Sequence, residues 1–403
     1  MTTRVRSTSR RLWSALFLLL APVAGAADHA QKAEDPEARV ESAPDRWTPE
    51  LMMQVRRPVE VDLSADGKWV AYAVQEAVLE PGASEFRTQV HRSAADGSET
   101  RQLTFDAAGA SRPLHSPDGK RLAFLSTRAG RNLFLMRTDG GEPWQLTAVE
   151  TGVGVFIWSA DGKHIVYTVG EGPSEEEAAR AKDKNDAYEV GALRGNAHLW
   201  IVEVPEEDGK KGEARRLTEG DFHVNPAYQS GFDVSPDGKT VVYTRSLHPR
   251  ANEWTTTDLY LVDVESGESR PLITGAAAES DPRYSPDGRY IAFGTSDDPP
   301  NWAFTADIAV VPAEGGEARI LAPTHDRNRS QILGWSADSE RIYFMETRGT
   351  LTRFAYLPVD GGPAVLVDQQ QCGLADPMVD EAQAPVLDPA GQRVERGEGK
   401  DQL

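Results

Sequence analysis

Six times along this chain a serine-led tight turn opens into an apolar strand that closes on an aromatic ring. The copies begin at Ser64 (SADGKWVAY), Ser116 (SPDGKRLAF), Ser159 (SADGKHIVY), Ser235 (SPDGKTVVY), Ser285 (SPDGRYIAF) and Ser336 (SADSERIYF). The Asp-Gly pair supplies a residue free to take positive φ, which suits a hairpin connection. Within each strand an aliphatic position (Val70, Leu122, Ile165, Val241, Ile291, Ile342) precedes an aromatic one (Tyr72, Phe124, Tyr167, Tyr243, Phe293, Phe344) by two residues. Those two share a face, because strand side chains alternate. The residue between them is also apolar, from Ala71 through to Tyr343, so the opposite face must be covered as well. Strands buried on both faces and repeated at blade-like intervals require radially stacked sheets. The sequence predicts an all-β fold, a β-propeller.

Spacing supports this reading. The turn glycines stand at 67, 119, 162, 238 and 288, with Ser339 in the sixth turn, at intervals of 52, 43, 76, 50 and 51. Each interval carries a further strand signal, such as Asn132–Met136, His198–Val202, Asp258–Val262 or Asp307–Val311, then a glycine turn and a short edge strand. These units read as four-stranded meander blades, whose short edges are protected by radial packing. The long interval holds an insertion at about 171–196, where Ser174 and Glu177 form a capping-box pattern ahead of a charged helix. Such a helix can overhang the channel or decorate the surface. A degenerate copy starts at Asp388, with Glu395 and Arg396 where the apolar and aromatic residues belong. It predicts an incomplete last blade over about 380–403, within a propeller domain spanning 47–403.

The ends and the charge narrow the class. Arg4, Arg6, Arg10 and Arg11 precede an apolar stretch from Leu12 to Val23 and the small residues Ala24-Gly25-Ala26. This pattern predicts a signal peptide over 1–26, since the apolar stretch falls short of the roughly 20 residues that span a bilayer. Residues 27–46 are polar and without period, and read as a disordered leader. Loss of the signal removes four arginines and no carboxylate, moving the formal charge from −20 to −24. That excludes a general nucleic-acid binder and suits an exported, periplasmic or secreted protein without stable membrane insertion. Cys372 is the one cysteine, so no intramolecular disulfide can form.

No chemistry-bearing motif accompanies the repeats. The string nearest to a G-x-S-x-G elbow is Gly334-Trp335-Ser336-Ala337-Asp338, which lacks the second glycine and is itself the sixth hairpin. The eight histidines show no metal-ligand spacing, and no glycine loop suits a phosphate. The expectation is therefore no catalytic residue, no metal and no cofactor. Asp118, Asp161, Asp237 and Asp287 read as turn residues bonding local amides. Trp254 and Trp302 lie in loops between the second and third strands of their blades. There they suit either contact with a ligand or packing against a neighbouring blade.

Two stretches carry a resemblance. One runs from Trp47-Thr48-Pro49-Glu50-Leu51 to Arg57-Pro58-Val59-Glu60-Val61-Asp62-Leu63-Ser64. The other includes Asp186-Ala187-Tyr188 and Arg194-Gly195-Asn196-Ala197-His198-Leu199-Trp200. Together they resemble the N-terminal propeller of prolyl-oligopeptidase-type serine peptidases, the dipeptidyl-peptidase and acylaminoacyl-peptidase branches; TolB-like propellers share the hairpin repeats. The resemblance implies a propeller that filters peptides toward an α/β-hydrolase domain bearing a Ser-Asp-His triad, and nothing in this sequence matches that domain. Some dipeptidyl peptidases hold the substrate amine with paired glutamates from a propeller helix. Glu175 and Glu176 stand on the inserted helix and Arg194 in the second of these stretches, and with Trp254 and Trp302 they are the substrate-binding candidates. The expected function is a non-catalytic exported propeller whose partners are peptides or another protein domain. A free-standing TolB-like interaction scaffold is the alternative, and a propeller lyase a third reading.

Overall fold

The structure, a computed structural model, describes residues 47–80, 83–185, 195–224, 231–301, 305–327 and 329–367. Six antiparallel sheets stand in a ring. The first blade runs Arg57–Leu63, Trp69–Glu80, Ala83–Ala94 and Thr100–Gln102 in simple meander order, and the other five follow the same course. In the fourth blade the innermost strand is split into His223–Val224 and Phe232–Val234. The degenerate copy at 388–396, the signal stretch and the leader lie outside the described residues.

Every hairpin is held by one small network. The serine hydroxyl donates to the aspartate Oδ1, at 2.6–2.7 Å in the first five turns. The same aspartate oxygen accepts the backbone N–H two residues on, at 3.0–3.1 Å in all six. The serine oxygen in turn accepts the amide of the residue that opens the second strand. In Asp66 and Asp338 the serine hydroxyl, followed by the backbone amide, holds the carboxyl below the usual carboxylate range. The turn closes through a left-handed residue: φ is 71–77° at Gly67, Gly119, Gly162, Gly238 and Gly288, and 62° at Ser339. Only glycine takes that conformation without a Cβ penalty.

The apolar pattern packs as expected, with one informative exception. Ala71 and Val90 of the first blade meet Leu122, Phe124, Phe134 and Met136 of the second. At the far end, Ala292, Ile308 and Val310 of the fifth meet Ile342, Phe344, Ala355 and Leu357 of the sixth. In each junction the face carrying the middle residue of one strand receives the aliphatic–aromatic face of the next. From the second blade to the sixth the aliphatic–aromatic pair is fully buried. In the first blade, Val70 and Tyr72 are only half-buried. Correspondingly, Tyr343 and Met345 of the sixth blade are half-buried, whereas their counterparts Ala123, Val166, Val242 and Ala292 are fully covered. The two loosely covered faces are those that flank the junction of the sixth blade with the first.

Polar locks between blades recur with a three-blade period. The Asp62 carboxylate accepts the His115 backbone N–H at 2.7 Å and lies 2.8 Å from His115 Nδ1, joining the first blade to the second. Three blades on, Asp233 accepts the Tyr284 N–H at 2.9 Å. Trp158 Nε1 donates to the Leu114 carbonyl at 3.2 Å, and Trp335 Nε1 to the Arg283 carbonyl at 3.0 Å. Each pair occupies equivalent positions relative to the hairpin serine. An acceptor removed from such a lock leaves a buried N–H unpaired, which costs about 1–3 kcal/mol. Asp62→Ala should therefore lower stability by about that amount, read as a lower urea midpoint; an unchanged midpoint would contradict the lock.

Candidate functional site

In a meander blade the connections alternate between ends. The Ser-Asp hairpins and the third turn share one end of the ring; the second turn and the blade-to-blade links share the other. Of the sequence-derived candidates, Glu175, Glu176 and Trp254 fall on this second rim. The capping box forms as read: Glu177 N–H donates to Ser174 Oγ at 3.2 Å and Ser174 N–H to Glu177 Oε2 at 2.8 Å. It starts helix α1 (Glu175–Lys182), with Glu175 and Glu176 exposed on its first turn. Trp254 lies half-buried in a 3-10 turn, Ala251–Thr256. Arg194 and Trp302 lie outside the described residues, so the structure does not bring the five candidates together.

The insertion is rooted by Glu171. Its N–H donates to the Asn196 carbonyl at 2.7 Å, and its Oε2 accepts the Asn196 N–H at 3.1 Å, closing the stem. Its Oε1 lies 3.5 Å from both His198 Nε2 and Arg216. His198 is buried, its ring set edge-on to Phe222 at 5.1 Å. Burial, then Arg216, pulls the His198 imidazole down to about 4, against the pull of Glu171. His223, also lowered to about 4 by burial, accepts the Ala197 N–H on Nδ1 at 3.0 Å and is therefore neutral in this bond.

Thr218 Oγ1 lies 3.4 Å from His198 Nδ1, so Thr218, His198 and Glu171 form a chain that looks like a hydroxyl–imidazole–carboxylate triad. Repeat equivalence assigns it to architecture instead. Thr104 bonds Gln89 at 2.7 Å and Thr147 bonds Asn132 at 2.9 Å in the same places of their blades. In all three the threonine oxygen also accepts the amide of the next strand residue, Val90, Leu133 or Leu199. The hydroxyl is thus occupied, and both Thr218 and His198 are buried beyond reach of a substrate.

Groups that local motif reading missed gather on this rim. Asp258 heads the third strand of the fourth blade, and Glu279 opens the inner strand of the fifth. Glu279 is 2% exposed and its Oε2 has no hydrogen-bond partner. Burial, then the neighbouring Asp258, pushes its carboxyl up to about 8. Burial likewise raises Asp258, opposed by the Gly275 amide and Arg245. Glu279 bonds through its backbone N–H to the Thr257 carbonyl, just beyond the turn that carries Trp254. In the link from the fifth blade to the sixth, Arg327 bridges Asp297 at 2.6 Å and Asp307 at 2.8 Å, both of the fifth blade. Among the described residues no three His, Cys, Asp or Glu side chains converge so as to hold a metal ion.

The channel wall holds a second feature. Glu60, Arg112 and Asp281 each stand four residues before their hairpin serine, with φ of 52°, 54° and 51°. Each lies within a register shift of its inner strand. Bulges re-aim side chains, and left-handed non-glycine residues concentrate where function holds them. Arg112 N–H donates to Glu60 Oε2 at 2.6 Å. Burial draws the Arg112 guanidinium down to about 10; Glu60 opposes this, while Arg131 and Arg283 add to it. Arg112 thus interacts electrostatically with Arg131 of its own blade and with Arg283 of the fifth. The shared register of Arg112-Pro113 and Asp281-Pro282 was the available sequence signal.

No family model matches the chain. Over 355 residues it is 28% identical to dipeptidyl-peptidase 5 from Porphyromonas gingivalis, a match covering 82% of this chain and 51% of that protein. Over 186 residues it is 31% identical to the uncharacterized peptidase YuxL of Bacillus subtilis, covering 46% and 21% respectively. Its fold is similar to that of Pyrococcus horikoshii acylaminoacyl peptidase, with a TM-score of 0.56 at 16% identity over 80% of this chain and 47% of that one. The chain thus spans about half the length, or less, of the curated relatives it matches. The resemblance to peptidase propellers read from the sequence holds.

Because Glu279 has a folded pKa above its unfolded value, it favours the folded state fully below about pH 4.5, and this contribution is lost as pH rises toward 8. Glu279→Gln keeps the shape and removes the titration. The variant should match the parent at pH 5 and exceed it by more than about 1 kcal/mol at pH 9. Equal pH profiles in chemical denaturation would show that Glu279 does not carry the proton.

Proposed function

We propose that this chain is an exported propeller that receives peptides on the rim opposite its hairpins, in the manner of the gating domain of prolyl-oligopeptidase-type peptidases, and hydrolyses none with its own residues. The observation that carries this reading is the match to dipeptidyl-peptidase 5 along 82% of the chain. Two features of the rim agree with it. The inserted helix, the Trp254 turn and the charged groups all lie at one end of the ring, while the other end is occupied by closed Ser-Asp networks. The triad-like chain through Thr218, His198 and Glu171 is sealed in a structural clasp. Acid–base catalysis needs a group within reach of the substrate, and His198 is 1% exposed.

Purified protein should bind short unstructured peptides with micromolar affinity and release no chromophore from dipeptidyl or acyl-amino acid p-nitroanilides above the buffer rate. Hydrolysis that survives purification to homogeneity would overturn the non-catalytic part. Capture of folded proteins without peptide binding would favour the scaffold reading instead. For export, the mass of protein recovered from the periplasm should correspond to a chain starting at Ala27; an intact N-terminus in the cytoplasm would contradict it.

A further inference from the structure

Among the described residues a polar recess opens between the first and second blades. It has a volume of about 180 Å³ and is lined by Glu85, Phe86, Arg87, Gly109, Thr127 and Arg131 among others. Arg131 is exposed, and no hydrogen bond or ion pair engages its guanidinium among the described residues. Arg87 is held by Glu85 at 2.8 Å through one terminal nitrogen, while its buried Nε has no partner. Arg112 follows the lining residue Ser111 on a left-handed bulge and does not itself line the recess. At Gly109 a Cβ would meet the Thr88 carbonyl oxygen at 3.0 Å and would alter the recess.

The charge balance is unusual for this molecule. In a chain of net charge −20, Arg87 and Arg131 line the recess with a single acid, Glu85, and that acid is already paired to Arg87. Burial lowers the Arg112 guanidinium, Glu60 opposes this, and Arg131 adds to it. A like-charge group with an unengaged member is stabilised by an anion, and planar guanidinium matches a carboxylate in a two-point bond. The volume is below that of a pocket for a whole drug-sized ligand, so it suits one side chain or one chain end. Phe86 gives the recess an apolar wall and also borders a second recess lined by Trp47, Met52, Met53 and Val55. An organic anion continuing into apolar residues fits that pairing better than an inorganic ion.

We propose that the recess between the first and second blades is an anchoring site for the carboxylate of a peptide, with Arg131 as its principal ligand and Arg87 as the flanking cation. This rests on the peptide-receiving reading above and adds a charge preference to it. Arg131 is a binding residue, with no part in bond cleavage.

The test uses three N-acetylated hexapeptides of Ala, Leu and Phe. One has a free C-terminal carboxylate, one is amidated, and one is amidated with an internal Glu. Titration calorimetry with the full chain, repeated with Arg131→Ala and with free succinate, reads the site. A peptide carboxylate should improve binding at least tenfold over the neutral amide, and Arg131→Ala should abolish that difference while leaving the thermal midpoint unchanged. Preference for the free C-terminus or for the internal Glu identifies which carboxylate the recess takes. Peptides that bind equally well with and without charge, or a preference that survives Arg131→Ala, would overturn the proposal while leaving peptide reception intact. Arg131-dependent binding of succinate with no peptide binding would overturn the peptide as ligand and keep the anion site. Binding of neither would remove both.

Discussion

The whole ring depends on a serine hydroxyl that donates to an aspartate while accepting the amide at the start of the next strand. That arrangement fixes the turn, and the turn fixes the register of the two most buried strands in each blade. A slip of one residue would send the aliphatic–aromatic pair to the wrong face. The left-handed residue at the turn's end completes the constraint. Ser339 meets it without glycine, at φ 62°, and its hydroxyl also accepts the Asp287 amide of the preceding blade at 3.3 Å. Hairpins at one end of the ring are thereby committed to architecture, with their donors and acceptors used internally.

Consequences for function follow from the opposite end. There the connections differ from blade to blade: an insertion rooted by Glu171, a 3-10 turn bearing Trp254, and an ion-paired bridge through Arg327. The blade junctions beneath are closed by Asp62 and Asp233, and by Trp158 and Trp335, so the second three blades repeat the locking scheme of the first three. A rigid frame with a varied rim is the general condition for a binding face on a repeat scaffold. The half-covered faces of the first and sixth blades interrupt that frame at one place, beside the blade that carries the arginine recess.

Periodic features were legible in the sequence because they are local. The hairpin, the two-residue alternation and the Ser174–Glu177 cap each involve residues within nine positions of one another. The junction locks were not legible, since Asp62 and His115 are joined across 53 residues, and Trp335 and Arg283 across 52. The bulges at Glu60, Arg112 and Asp281 were hidden for a different reason: an interruption of register leaves only a faint mark in an apolar pattern. Glu279 gave no signal at all, because its raised pKa comes from burial and from Asp258 on another blade. Among the candidates, Glu175 and Glu176 sit on the predicted helix and Trp254 on the rim, while Arg194 and Trp302 fall outside the described residues.

The central claim is that peptides are received on the insertion-bearing rim and not on the hairpin end. Hydrogen–deuterium exchange of the full chain, with and without a saturating peptide, tests it most directly. Exchange should slow in the rim segments around 107–111, 127–131 and 251–257, with the six Ser-Asp turns unchanged. Protection confined to those turns, or spread evenly over both ends, would contradict it.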